Sequence, residues 1–415
     1  MPGRNRNRSK VDKTEPEKVT VSGSIERQIN RYYLKISRKY MTAAVLTLLV
    51  LVLYIICVTV FFGEYVTYDN LKYLLRDIDA TDFSNKQDFD KIVYNAGGAT
   101  KTAYFKNGLA LCDANEYKYY DTAGTLLLDE TLNYTEPILV PSEKYMLVYD
   151  LGGNGYSVFN QLTRIIERQA EGSIIAGNIA PDGSFVLAMR SNETKYVVEV
   201  YNGGFSKVMS IYKDNYVLDT GISPDGNTVV ICSACPSESD FDCEIDICRR
   251  GKTESIKKIQ IPHSIPLDVY AAGDGFAVLC SGKILFLNKN GEIINETVFS
   301  GMSLKYSDIN ESKAAIVGTT NMLGSENRVI VYDMKDDFGE IIFDKIFSEH
   351  IMGVFSARDP AALVYLKFND TTAALSPDGE ITSEKITGEI ISIVPMKTGA
   401  LICTETSAKR AYYEE

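Results

Sequence analysis

The chain has 415 residues but no tryptophan and only two histidines, His263 and His350. Histidine is the side chain that most readily exchanges a proton or binds a metal near neutral pH. Two of them, far apart, one beside Pro262 and one after Glu349, leave a Ser/His triad, an H-E-x-x-H zinc site or a histidine-rich centre almost nothing to work with. Both read as loop residues. A phosphate-binding loop and an EF-hand spacing are also missing: Gly282-Lys283 is followed by Ile284, where a Walker loop needs Ser or Thr. The Gly-Gly-Asn-Gly run at 152–155 reads as a hairpin turn. The sequence therefore offers no catalytic, cofactor-binding or metal-binding motif, and no cofactor is expected.

Charge is missing from one long stretch. Residues 41–62, MTAAVLTLLVLVLYIICVTVFF, contain no charged side chain, and a helix of this length crosses a hydrocarbon core of ~30 Å. Arg27, Arg31, Lys35, Arg38 and Lys39 precede the run, whereas only Lys72 and Arg76 lie in the twenty residues after it. Basic flanks stay cytoplasmic, so the N-terminus is expected inside and the bulk of the chain outside. Val60, Phe61 and Phe62 stand where a cleavable signal needs small residues. The run reads as an uncleaved signal anchor of a single-pass cell-membrane protein, in contact with the lipid bilayer.

Residues 1–40 carry net charge +7 and the rest of the chain −19. An acidic domain without basic clusters gives no footprint for nucleic acid. The tail is expected to be disordered, basic and cytoplasmic, because its first thirty residues hold too few apolar side chains to offset ordering entropy. In the stalk, 63–88, Leu71, Leu74, Leu75 and Ile78 fall at helical spacing behind Asp69 and Asn70. That spacing predicts a short amphipathic helix over 70–79, docked under its own domain or lying on the membrane.

From residue 89 the texture changes to short β-branched and aromatic runs separated by Gly, Asn, Asp and Pro, a strand-and-turn pattern without a long helix. An apolar tetrad recurs eight times, starting at Leu109, Met146, Phe185, Thr228, Phe276, Ala314, Ala361 and Ala400. A period near forty with four strand-sized pieces marks a β-propeller blade. In the clearest unit, DVYAAGDG, FAVLCSG, KILFLNKNG and EIINETVF run from inner to outer strand. Pro-Asp-Gly turns ending at Gly183 and Gly226 precede a tetrad, and a third, ending at Gly379, follows a third strand. The last unit runs out of chain after three strands, while KIVYNA at 91–96 has no partner. Combining them closes the ring and removes exposed sheet edges. The expected fold is an all-β domain over 89–415, an eight-bladed propeller or, if one unit is irregular, a seven-bladed one.

A basic tail, one anchor, a stalk such as YDNLKYLLRDID and a propeller with Pro-Asp-Gly turns resemble a family of single-pass proteins from clostridia and related Firmicutes, a domain of unknown function. More distantly the blades are similar to WD40, TolB-like and quinoprotein-like propellers. The resemblance implies a membrane-anchored ectodomain and no particular reaction. Without tryptophan, the chain lacks the docking positions typical of quinoprotein blades, which argues against a quinone cofactor.

Of eight cysteines, Cys57 lies in the anchor, and Cys112, Cys232, Cys280 and Cys403 fall at or just after a tetrad, where a small core residue belongs. Cys235, Cys243 and Cys248 break that pattern and form, with Cys232, the run C-x2-C-x7-C-x4-C across one hairpin. Near-constant index sums would let Cys235 face Cys243 and Cys232 face Cys248. A cross-strand disulfide, free core thiols and a four-thiolate metal site all remain open.

Two function classes stay open. One is a non-enzymatic binding or scaffold module for an envelope protein, peptide or glycan. The other is a carbohydrate-active hydrolase or lyase using funnel carboxylates, for which Asp240, Asp242 and Asp274 are loop candidates.

Overall fold

A computed structural model of the chain describes residues 19–61, 75–76, 91–94, 99–121, 123–238, 240–273, 275–321, 326–386 and 388–411. The chain divides into two units, 1–71 and 72–415. Among the described residues, the first is the helix Val19–Phe61. Within it, Tyr33–Tyr54 is long and apolar enough to cross a membrane. Its apolar side chains, among them Val45, Leu46, Leu49 and Leu53, are exposed on every side. Thr42 and Thr47 turn their hydroxyls back onto the carbonyls of Arg38 and Ala43, at 2.8 and 2.9 Å, so neither presents a free donor.

The helix begins well before the apolar run, so residues 19–40, read from composition as disordered tail, are helical. The apolar run supplies the costly nucleus, and each further residue then extends the helix at little expense. No proline interrupts the chain between Pro16 and Pro137. Residues 1–18 lie outside the described residues, as does the expected stalk helix apart from Leu75 and Arg76. These two meet turns of the second unit. Asn160 Nδ2 donates to the Leu75 carbonyl at 2.8 Å, and Arg76 Nη1 to the Gly203 carbonyl at 3.2 Å.

The second unit is an eight-bladed β-propeller, each blade a four-stranded antiparallel sheet. Blades 1 to 7 occupy 101–131, 137–169, 174–213, 216–261, 266–298, 303–347 and 353–385, with strands in sequence order from axis to rim. Blade 8 joins Ile390–Pro395, Ala400–Thr404 and Ser407–Ala411 to Lys91–Val93 as its outermost strand. Lys91 pairs with Lys409, Ile92 with Ala408 and Val93 with Ser407. The closure expected from the two orphan ends is thus the observed one, and the count is eight.

Each blade buries both faces against its neighbours. Eight apolar clusters result, one per joint; the last packs Ile92, Leu401 and Cys403 of blade 8 against Leu109 and Leu111 of blade 1. Along a second strand, odd and even residues serve opposite joints: Leu109 and Leu111 face blade 8, Ala110 and Cys112 face blade 2. Burial on both sides is why these strands read as unbroken apolar tetrads rather than alternating patterns. Seven of the eight tetrads lie on second strands. In blade 7 the strand is Val364–Lys367, so Ala361, Ala362 and Leu363 belong to the loop before it.

The Pro-Asp-Gly turns share one geometry. In each, the glycine N–H donates to the carbonyl three residues earlier, at 2.8 to 3.0 Å, and the glycine takes positive φ: 87°, 68° and 84° at Gly183, Gly226 and Gly379. The first two join first to second strands. The third joins a third strand to a fourth, as its place in the sequence implied.

Candidate functional site

First strands of neighbouring blades pack around the axis, where two aspartates meet for a local reason. In blade 4 the pairing of the first strand, Tyr216–Ile222, skips Leu218; in blade 5 that of Pro266–Ala271 skips Leu267. A bulge re-aims the side chain that follows it, and here the followers are Asp219 and Asp268. Their half-buried carboxyl groups hydrogen-bond to each other across the blade joint. Asp219 Oδ1 also accepts the Thr220 N–H, and Oδ2 the Val269 N–H of blade 5, both at 2.8 Å.

Two joints further on, between blades 6 and 7, stands a second polar clamp. Asp308, on the first strand of blade 6, accepts the Ser356 N–H of blade 7 at 2.6 Å, while the Ser356 hydroxyl donates to the Asp308 carbonyl at 2.6 Å. Asn310 Nδ2 donates to the Ser356 carbonyl at 2.6 Å. Beyond it, Arg358 reaches from the blade 7 loop to three other blades. Its Nε donates to Glu311 of blade 6 at 2.8 Å, its Nη1 to the Pro395 carbonyl of blade 8 at 3.3 Å, and its guanidinium lies 4.7 Å from the Tyr104 ring centroid of blade 1. Lys313 Nζ donates to the Ala357 and Asp359 carbonyls at 3.1 and 3.4 Å.

Electrostatics follow from this crowding. Burial raises the Asp219 carboxyl well above the ordinary range, and the neighbouring Asp268 charge adds to it. Burial pushes Asp268 up to about 6 and raises Asp308 as well. The Asp219–Asp268 pair thus retains a proton where isolated carboxyls have lost theirs. Burial also raises the Tyr104 hydroxyl to about 12, against the Arg358 charge, and lowers Lys313.

Two carboxyls in direct contact differ from the hydrolytic arrangement, in which they stand roughly 5 to 9.5 Å apart around a sugar bond. Asp219 and Asp308 are further committed to backbone N–H groups of the adjoining blade. The axial groups are arranged as clamps between blades. Among the described residues, no group of three or more His, Cys, Asp or Glu is placed to hold a metal ion.

The carboxylates singled out from sequence lie elsewhere. Asp240 and Asp242 sit at the hairpin between the second and third strands of blade 4, away from the axis, and Asp242 accepts the His263 N–H at 2.9 Å. Asp274 is outside the described residues. His263 occupies an exposed turn and His350 an exposed loop, Gly282-Lys283 opens the third strand of blade 5, and residues 152–155 form the predicted hairpin. Asp219 and Asp268 each stand on an inner strand directly after an exposed leucine, the one mark they leave in the sequence, whereas Asp308 follows Ser307.

The cysteine run does lie on one hairpin, Thr228–Pro236 and Phe241–Arg249. Its register differs from the assumed index sums: Cys235 is opposite Asp242, Cys243 opposite Ala234, Cys232 opposite Ile245 and Cys248 opposite Val229. A one-residue slip sends side chains to opposite faces, so Cys232 and Cys243 face blade 5, while Cys248 faces blade 3. Cys235 falls on the Cys248 side by strand alternation. All four thiols are free, as are Cys112, Cys280 and Cys403.

Fold and axis together define an eight-bladed propeller with polar clamps at its inner joints. Residues 81–258, blade 1 through most of blade 4, match a family of unknown function, DUF5711. No functionally curated protein matches the chain. Among solved structures, BamB from Moraxella catarrhalis is similar at 9% identity and TM-score 0.48, over 78% of this chain and 99% of that one. The Neurospora crassa Pan2 WD40 domain is similar at 9% identity and TM-score 0.46, over 80% and 99%. Kuenenia stuttgartiensis hydrazine synthase is similar at 13% identity and TM-score 0.45, over 71% and 97%. At this level of likeness, nothing about partners or chemistry carries over.

Proposed function

We propose that this chain is a single-pass membrane protein whose N-terminus is cytoplasmic and whose propeller stands outside the cytoplasm as a non-enzymatic binding or scaffold module. Its partner is an envelope protein, peptide or glycan held on a face of the ring. The observation that carries the reading is how the axial polar groups are spent. Asp219, Asp268, Asp308 and Arg358 hold blades to one another, which leaves a rigid disc whose turns are available for recognition. The anchor is supported by apolar side chains exposed around the whole of Tyr33–Tyr54, which only lipid would cover at low cost, and by the asymmetry of basic residues about the run.

The test is cross-linking in intact cells, followed by purification of the full chain in mild detergent. One envelope component should be recovered near stoichiometric amount, and be lost when only residues 1–70 are expressed. Recovery that does not depend on the propeller, or none at all, would count against the binding module. Hydrolysis of envelope polysaccharide that Asp268→Asn abolishes would favour the carbohydrate-active reading instead.

A further inference from the structure

Cys243, on the third strand of blade 4, and Cys280, at the end of the second strand of blade 5, belong to different sheets, yet their sulfurs lie 3.8 Å apart. Neither is accessible to solvent. They sit in the apolar joint between the blades with Val230, Ile245, Phe276 and Val278, and Cys232 lies in the same cluster. The pairing is a product of the fold: Cys243 faces this joint only because of the hairpin register described above. Its within-hairpin candidate, Cys235, is assigned to the other face.

We propose that Cys243 and Cys280 are a disulfide-forming pair that staples blade 4 to blade 5. A bond of about 2.05 Å needs the sulfurs to approach by less than a side-chain rotation supplies. The electrons go to a disulfide oxidant, either oxidised glutathione or the active-site disulfide of a thiol oxidoreductase. The Cys280 thiolate attacks one oxidant sulfur and expels the other as a thiolate. The Cys243 thiolate then displaces the remaining oxidant sulfur, and the two protons lost by the pair leave on the two thiols of the reduced oxidant.

In the closed joint the Cys280 thiol donates to Cys243 Sγ at 3.8 Å, with Ser264 and the charge of Lys283 nearby. Because both sulfurs are sealed in the finished joint, the bond forms while blade 5 is closing on blade 4. Its presence in cells rests on the extracytoplasmic placement proposed above; its formation in vitro does not.

The test uses the full chain in detergent, unfolded under reduction and refolded in a glutathione redox buffer, then digested without reduction and mapped by mass spectrometry. The expected product is a peptide pair joined through Cys243 and Cys280, two hydrogens lighter than the reduced pair. It should be accompanied by a Tm roughly 5 °C above that of the reduced protein. Cys280→Ala should abolish the cross-link and Cys232→Ala preserve it; if either variant fails to fold, the wild-type map decides. All thiols alkylatable after oxidative refolding, or a bond within the blade 4 hairpin instead, would overturn the proposal. A staple present after refolding but absent from protein taken from cells would leave the pairing standing and contradict the extracytoplasmic placement.

Discussion

Blades 4 and 7 share a plan but are held together differently. Blade 4 has strands of 7, 9, 9 and 7 residues, and its central pair zips without interruption from Thr228–Arg249 to Pro236–Phe241. Blade 7 has strands of 4, 4, 5 and 5. What blade 7 withholds from the sheet it places in the loop at 357–363, where Arg358 reaches blades 6, 8 and 1. In the same loop Asp359 accepts the Gly399 N–H of blade 8 at 2.7 Å. A blade can therefore be secured by ladder and apolar faces, or by polar contacts thrown across the ring.

The two blades should respond differently to loss of a single side chain. The largest effect is expected in blade 4. Ile231 is fully buried in its joint with blade 3, so Ile231→Ala should cost about 3 kcal/mol, read as a shift in denaturant midpoint. In blade 7 the corresponding weakness is Arg358→Ala. With Glu311 half exposed and the ion pair accordingly screened, the loss should be about 1–2 kcal/mol, carried mainly by the hydrogen bond and the stacking on Tyr104. An unchanged midpoint would show that the cross-ring contacts do not support blade 7.

The axial aspartates make the joint of blade 4 with blade 5 sensitive to pH. Asp268 is raised to about 6 and Asp219 is raised as well, against about 3.9 in an unfolded chain. A carboxyl whose folded value is raised stabilises fully below the unfolded value and loses that contribution as pH rises through the folded one. Stability should therefore fall as pH rises from about 4 through about 6. Asp268→Asn should flatten that slope and be more stable than the parent at pH 8, by about 1–2 kcal/mol. Thermal melts of both proteins across the range check the sign; a parent that gains stability toward pH 8 would contradict it. The smallest effect is expected at Ala361. It belongs to an apolar tetrad yet lies exposed in the blade 7 loop, so Ala361→Ser should change stability by less than about 0.5 kcal/mol.

These contrasts also explain what could be read from residues alone. The blade plan was legible because two-sided burial writes unbroken apolar tetrads, and closure because Lys91–Val93 and the last unit each lacked a partner. The tetrad at Ala361 misled because Asp359, Pro360 and the two alanines have little strand preference. The strand there begins only at Val364. The cysteine register was hidden by the turn, Ser237 to Asp240, whose Ser-Glu-Ser-Asp carries no glycine or asparagine to announce its length. One residue there decides which joint each thiol enters. The axial clamps were the least legible, since the partners in each, Asp219 with Asp268 and Asp308 with Ser356, come from different blades and meet only in the ring.

An extracytoplasmic role requires the propeller to stand on the outer side of the membrane. Single cysteines are introduced by Glu193→Cys, on an exposed turn of blade 3, or by Ser9→Cys in the tail, with the half-exposed Cys235 replaced by alanine. Intact cells are then treated with a membrane-impermeant maleimide. Labelling at position 193 in intact cells, and at position 9 only after the membrane is opened, is the predicted result. The reverse pattern would contradict an extracytoplasmic propeller.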